Sequence, residues 1–133
     1  MLDRVGDTPA GGRLPSDAAR VSPPTGVSAD VNVPERYEHL LRTLERAGRE
    51  LESGESSARS RSLGEAASIV FDLLYALDFR RGGEMVPRLA ALYGYIGNEL
   101  LNLGRTGDRQ QLAHIRDMIT TLQQSWRDSE AAA

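Results

Sequence analysis

Histidine and carboxylate side chains are the residues of this sequence that could support metal or acid–base chemistry, because the chain contains no cysteine. The two histidines, His39 and His114, fall in different predicted helices. Glu35 precedes His39 by one helical turn, but this segment lacks the further ligands that a metal ion needs. Asp72 and Asp78 do not share a helix face, so they do not form a pair for general acid–base catalysis. We expect no catalytic residue, no metal site and no cofactor.

The charge balance argues against nucleic acid as a partner. The 133 residues include 19 acidic and 16 basic side chains, every basic one an arginine, for a formal net charge of -3. The short basic clusters Arg59/Arg61 and Arg80/Arg81 are expected to be solvated or to lie near a helix C-terminus. No apolar run approaches the roughly 20 residues needed to cross a bilayer. The N-terminus lacks the apolar core of a signal peptide, so we expect a cytoplasmic protein without membrane contacts.

The composition changes sharply near Pro34. Five of the six prolines lie in the first 34 residues, and that segment contains no aromatic residue. It can bury too little apolar area to offset an ordering entropy of about 1–2 kcal/mol per residue. The sequence therefore predicts a disordered or loosely attached tail over residues 1–32 and a folded domain over residues 33–130.

Within that domain, four segments carry apolar residues at the spacings of three and four that are typical of amphipathic helices. No stretch alternates with the period of two that strands show. Four such helices with short connections predict an all-α fold, an antiparallel four-helix bundle. The stripes are Tyr37, Leu40, Leu41, Leu44, Gly48 and Leu51; Leu63, Ala66, Val70, Leu73, Leu74 and Leu77; Val86, Leu89, Leu92, Tyr93, Ile96, Leu100 and Leu103; and Leu112, Ile115, Ile119, Leu122 and Trp126.

Polar residues with capping-box spacing predict where three of the helices begin. The Ser/Gly-rich stretch 53–60 predicts the connection between the first two helices, and glycines at 82–83 and 104–107 predict the later turns. The capping pairs are Asn32 and Glu35, Ser62 and Glu65, and Asp108 and Gln111.

Apolar residues in excess of one stripe indicate a surface groove on the second and third helices. Tyr93 and Tyr95 are two residues apart, so at least one of them must face away from the core. Grooves of this kind accept amphipathic helices from a partner. The alternative is that most of these side chains fill the core. The candidate partner-binding residues are Phe71, Leu74, Tyr75, Leu92, Tyr93, Ile96 and Leu100.

The run from Leu77 to Met85, Leu-Asp-Phe-Arg-Arg-Gly-Gly-Glu-Met, resembles the Leu-Asp-x-x-x-Gly-Gly-Glu turn between helices two and three of FliS proteins. The similarity continues through residues 89–96, which resemble the Asn-Leu-x-x-Leu-Tyr-x-Tyr-Met segment of that family. It ends at Trp126, which is similar to the family's Leu-Arg-x-x-Trp close. These matches cover residues 69–127.

The resemblance implies a flagellar export chaperone that binds the disordered C-terminal segment of flagellin in the cytoplasm and prevents premature polymerisation. Coupled folding of that segment carries an ordering cost but lets a small protein mask a long surface. Residues 1–34 lack the tyrosine that family members usually carry before the first helix. The alternative is a FliS-like paralogue that serves as an interaction or dimerisation module for another flagellar or export component. A monomer and a weak homodimer both fit these expectations.

Overall fold

The computed structural model describes residues 31–81 and 83–132, and four α-helices account for most of them. They are α1 (Val33–Glu52), α2 (Ser56–Tyr75), α3 (Met85–Thr106) and α4 (Arg109–Ala132). Residues 31–81 and 83–132 contain no β-strand, as the helical periodicity predicted. The tail predicted over residues 1–32 lies almost entirely outside the described residues.

The start of α1 agrees with the capping pattern. The Asn32 Oδ1 atom accepts a hydrogen bond from the Glu35 backbone N–H at 3.1 Å. Pro34 lies in the first turn of α1. Backbone N–H groups there have no partner within the helix, so the N–H that proline lacks costs no helical hydrogen bond. After Glu52, the chain reverses through Gly54, whose φ of 75° is in the left-handed region that favours glycine. The short turn makes α1 and α2 antiparallel neighbours.

The start of α2 differs from the prediction. The helix begins at Ser56 rather than at Ser62, which is buried within it. The Ser62 hydroxyl donates to Glu50 Oε1 at 2.6 Å and accepts from Arg46 Nε at 3.0 Å. The prediction was wrong because the spacing of Ser62 and Glu65 serves contacts with α1 and does not cap a helix.

The turn between α3 and α4 is shorter than predicted, because α3 continues through Gly104. Helix α3 ends at Thr106 and is capped by Gly107, whose φ of 67° is again left-handed. Asp108 Oδ1 then accepts hydrogen bonds from the backbone N–H groups of Gln110 and Gln111 at 3.0 and 3.2 Å. These bonds confirm the predicted cap of α4.

The helices follow one another around the bundle, so that α1 packs on α2 and α4, and α3 packs on α2 and α4. The interface between α3 and α4 is the smallest of the four. Arg109 Nη1, at the start of α4, lies 3.3 Å from Glu52 Oε2, at the end of α1. One turn further in, Gly48 faces Leu112. This register confirms the predicted antiparallel four-helix bundle.

The core contains one apolar stripe from each helix. Tyr37, Tyr93 and Trp126 are its buried aromatic side chains, contributed by α1, α3 and α4. Burying an aliphatic side chain contributes about 1.5–3 kcal/mol relative to leaving it exposed, so these stripes dominate the stability of the bundle. The surrounding core residues include Leu40, Leu44, Leu63, Val70, Ile96, Leu100, Leu103, Ile115 and Ile119.

Candidate partner-binding surface

The structure divides the predicted partner-binding residues between core and surface. Tyr93, Ile96 and Leu100 are 2%, 1% and 0% exposed, respectively. They lie on the face of α3 that turns toward the other helices. They pack in the core of this conformation, so their side chains are not accessible to a partner.

The remaining predicted residues reach the surface to different degrees. Phe71, Leu74 and Leu92 are half-buried and pack against the core, while Tyr75 is 81% exposed. The expectation that one of the paired α3 tyrosines faces away from the core is confirmed, because Tyr95 is 45% exposed. The side chains of Phe71, Leu74, Leu92 and Tyr75 are therefore at least partly accessible at the surface.

Phe71 and Tyr75 belong to an outer face that α2 and α3 form together. On each helix, residues at positions i, i+4, i+7 and i+11 lie on this face, since these spacings return to nearly the same angle around a helix. All except one of them are partly or fully exposed, and none is charged. We call this surface the outer strip: Gly64, Ser68, Phe71 and Tyr75 of α2, and Ala90, Gly94, Gly97 and Leu101 of α3.

The floor of the outer strip is the contact between Phe71 and Gly97, the buried member of the set. A Cβ atom on Gly97 would lie only 2.6 Å from Phe71 Cζ, so the ring occupies the space that a side chain would need. Nearby, Ser60 Oγ donates to the Gly104 carbonyl at 2.8 Å. Arg59 Nη2 donates to the same carbonyl at 3.4 Å, close to the negative end of the α3 dipole. These contacts hold α2 and α3 closely together at the strip and about one turn beyond its Gly64 end.

Gly64 and Gly94 differ from Gly97 in the space around them. Apart from the neighbouring backbone of its own helix, a Cβ atom built on either would have no atom of residues 31–81 and 83–132 within 4 Å. Both lie inside helices, where glycine is less stable than alanine by about 0.5–1 kcal/mol. Packing within the described part of the chain therefore gives no reason for glycine at either position. Close approach of a partner backbone would give one.

Exposed apolar side chains lie toward the two ends of the outer strip. Tyr75 is at the end near the α2–α3 turn, and Leu101, which is 52% exposed, lies toward the opposite end. Gly64 and Tyr75 are about 16 Å apart along the helix at 1.5 Å per residue. The strip therefore has the length of about three turns of a partner helix.

Sequence reasoning named only Phe71 and Tyr75 among the residues of the strip. It missed Gly64, Gly94 and Leu101 because it followed large apolar residues and treated helix glycines as neutral. The available indication was the shared spacing, which places small residues on one face of both α2 and α3.

The opposite flank of α2 is polar and is closed by contacts with α1. Glu65 Oε1 accepts from Arg46 Nη2 at 2.7 Å, and Glu65 Oε2 lies 2.9 Å from His39 Nε2. Hydrogen bonding from Arg46, and secondarily from His39, lowers the pKa of the Glu65 carboxyl group. Arg36 Nη1 lies 3.7 Å from Asp72 Oδ2 further along the same seam. The apolar outer strip and this charged seam thus occupy different sides of α2.

Residues 31–81 and 83–132 contain no group of three histidine, aspartate or glutamate side chains placed to hold a metal ion. His39 contacts the single carboxylate of Glu65, and His114 is exposed on α4. None of the helices described here is long and apolar enough to cross a membrane.

The described residues thus define a small all-helical bundle with an apolar strip exposed along α2 and α3. The family model described as "Flagellar protein FliS" matches residues 35–133. The chain is also 31% identical over 85 residues to the "Flagellar secretion chaperone FliS" of Salmonella typhimurium, a match that covers 63% of each chain. The aligned region is thus slightly less than two thirds of that relative's length. The chain belongs to the FliS family.

Proposed function

We propose that this chain is a flagellar export chaperone that binds the disordered C-terminal segment of flagellin in the cytoplasm and prevents its premature polymerisation. Membership of the FliS family supports the role in flagellar export, as does the name of the Salmonella relative. The observation that carries the binding proposal is the outer strip, where no described side chain covers Gly64 or Gly94 and where Tyr75 and Leu101 are exposed toward the two ends.

The outer strip suits a client segment that becomes helical on binding. Its small residues allow a second helix to approach closely, and its apolar side chains can enter between the client's side chains in the manner of helix-in-groove recognition. Tyr75 offers a large apolar ring together with a hydroxyl group that can remain in contact with water. A client helix of about three turns with an uncharged inner face fits the strip best.

Binding of this kind couples association to folding of the client segment. A disordered client loses conformational entropy when it orders, so the complex forms only if enough apolar area is buried, at about 25 cal/mol per Å². Leu74, half-buried at the edge of the core, is proposed to add a secondary contact. Leu92 lies two residues from Gly94 and therefore on a different side of α3 from the outer strip. A segment held in this way cannot make its contacts in the filament, so the chaperone needs no catalytic step and no cofactor.

The test is a titration of the full chain with a peptide of the flagellin C-terminal segment from the same organism. We expect Tyr75→Ser combined with Leu101→Ser to weaken binding by about tenfold or more, because large apolar anchors dominate such interfaces. Helical circular dichroism should also increase on mixing beyond the sum of the two components. Failure of the unsubstituted chain to bind the peptide would contradict the proposal.

Tyr95→Ser is the matched control, since it makes the same chemical change on α3 but outside the outer strip. Tyr95 lies on the side of α3 that faces α4, where its hydroxyl is 3.5 Å from Gln111 Nε2. Affinity should be unchanged in this variant. Light scattering on the same samples tests the alternative occupant, a second copy of the chain. A dimer that Tyr75→Ser dissociates, without any peptide binding, would assign the strip to dimerisation.

A further inference from the structure

A second apolar cluster lies at the α2–α3 turn, beyond the end of the outer strip. Phe79 is 59% exposed and Met85 is 67% exposed. Leu77 and Val86, which flank this turn in sequence, are 8% and 2% exposed, so both ends of the turn are anchored in the core. The fold thus keeps two large apolar side chains in solvent on a segment that is fixed at both ends.

Asp78 gives the start of this turn a defined conformation. Its Oδ1 atom accepts a hydrogen bond from the Arg80 backbone N–H at 3.0 Å. Its backbone carbonyl accepts from the Arg81 N–H at 3.2 Å. Aspartate commonly stabilises turns by bonding to its own backbone two residues later. Phe79, the residue between these partners, is therefore held on the outside of the turn.

Exposed arginines lie next to these apolar side chains in the sequence. The side chains of Arg80, Arg81 and Arg88 are 93%, 60% and 83% exposed, and Glu84 is 93% exposed. Asp78, which lies 4.0 and 3.9 Å from the first two arginines, is only 29% exposed. The well-exposed side chains therefore carry a positive excess, although the whole chain has a net charge of -3.

We propose that this surface, the turn cap (Phe79, Arg80, Arg81, Met85 and Arg88), docks an acidic amphipathic segment of a second protein. Apolar side chains of that segment cover Phe79 and Met85, and its carboxylates pair with the arginines. Arginine suits this role because its planar guanidinium binds carboxylates with two parallel hydrogen bonds. The charges set the orientation and speed of association, and the apolar contact supplies most of the affinity.

A protein segment matches the turn cap better than an anionic membrane surface does. Basic sites that bind membranes generally use clusters of about four to eight lysines or arginines. The turn cap has three arginines, with Asp78 and Glu84 beside them. Discrete carboxylates can avoid these acidic neighbours, whereas a continuous negative surface cannot. The turn cap shares no residue with the outer strip.

The test uses the synthetic peptide acetyl-EELLDELLEE-amide as the probe, titrated into the full chain and followed by backbone-amide NMR. We expect saturable shifts at the turn-cap residues that weaken with added salt. Arg80→Gln/Arg88→Gln and, separately, Phe79→Ser should each weaken binding by about tenfold. A control peptide with glutamine in place of each glutamate and asparagine in place of the aspartate should also bind about tenfold more weakly. Arg42→Gln/Arg116→Gln, which changes two exposed arginines on α1 and α4, is the matched control and should leave binding unchanged.

Several results would overturn the proposal. One is the absence of saturable binding of the acidic peptide, and another is equal loss of binding in the control variant. Binding to phosphatidylserine-containing vesicles without binding to the peptide would assign the turn cap to a membrane surface instead. Each turn-cap variant should keep its circular dichroism spectrum and its affinity for the flagellin peptide. The two peptides therefore test the two proposals separately. Docking at the turn cap can fail while client binding holds, and client binding can fail while docking at the turn cap holds.

Discussion

The hydroxyl groups of Tyr37 and Tyr93 lie 2.7 Å apart in the core and connect α1 with α3, two helices whose backbones are not in contact. Burial raises the pKa of both phenols, and the neighbouring Trp126 side chain of α4 acts in the opposite direction on both. This polar contact therefore connects α1 and α3 through the core.

Removing one hydroxyl of this pair should destabilise the bundle by more than the hydrogen bond itself contributes, because the other hydroxyl stays buried. Tyr37→Phe leaves the Tyr93 hydroxyl buried without its tyrosine partner, at a cost of about 1–3 kcal/mol in the free energy of unfolding. Tyr93→Phe should behave similarly. The double variant should lose less than the sum of the two single variants, because no orphaned hydroxyl remains. Urea denaturation of the four proteins measures the cycle, and additive losses would contradict the account.

The same pair predicts how stability changes in alkali. The pKa of both tyrosines is raised in the folded state, so their contribution is fully present below the unfolded-state value of about 10 and is lost as pH rises through the folded values. Tyrosines are the only side chains that lose a proton in this range, because the chain has no lysine and no cysteine and its arginines stay charged.

Urea denaturation between pH 8 and pH 11, about one unit or more either side of the tyrosine reference value, measures this dependence. The free energy of unfolding should fall above about pH 10 in the unsubstituted chain. The fall should be shallower in Tyr37→Phe/Tyr93→Phe. Equal slopes in the two proteins would show that the buried pair does not set the alkaline limit.

Alanine at Gly64 or Gly94 should stabilise the bundle and weaken client binding at the same time. Neither new Cβ lies within 4 Å of any described atom beyond the neighbouring backbone of its own helix, so each substitution should gain about 0.5–1 kcal/mol in the free energy of unfolding. Each added methyl group also protrudes into the space proposed for the client backbone. Gly48→Ala is the control, because its Cβ makes only an ordinary 3.9 Å contact with Leu112, outside the strip. Unchanged affinity in both strip variants would argue against a closely packed client.

Gly97 and Phe71 should behave as a coupled pair. Gly97→Ala forces the Phe71 ring out of its position, since the new Cβ would lie 2.6 Å from Cζ. In a Phe71→Ala background that clash is absent, and the same change should stabilise the bundle by about 1 kcal/mol through helix propensity. Thermal or urea unfolding measures the difference between the two backgrounds. An identical effect of Gly97→Ala in both would rule out the close contact.

The sequence contained enough information for the fold but not for the placement of each surface residue. Asn32 and Asp108 were found because capping depends on local chemistry that a few neighbouring residues determine. Ser62 misled the prediction of the α2 start, since its spacing to Glu65 looks like a cap while both side chains contact α1. Local patterns cannot distinguish a cap from a contact with another helix.

Local patterns also could not show which apolar residues lie in the core and which lie at the surface. Apolar excess shows that a helix is covered on more than one side, but not which side each neighbour covers. Ile96 and Leu100 were thus grouped with Tyr75, although the bundle buries the first two and leaves the third in solvent. The open space over Gly64 and Gly94 depends on the positions of both helices, so it is visible only in three dimensions.

Hydrogen–deuterium exchange of the full chain, with and without the flagellin C-terminal peptide, tests the central claim most directly. Binding on the outer strip should slow exchange along the facing segments of α2 and α3, from Gly64 to Tyr75 and from Ala90 to Leu101, and leave the outer face of α4 unchanged. Protection confined to α1 and α4, or no protection at saturating peptide, would contradict the account.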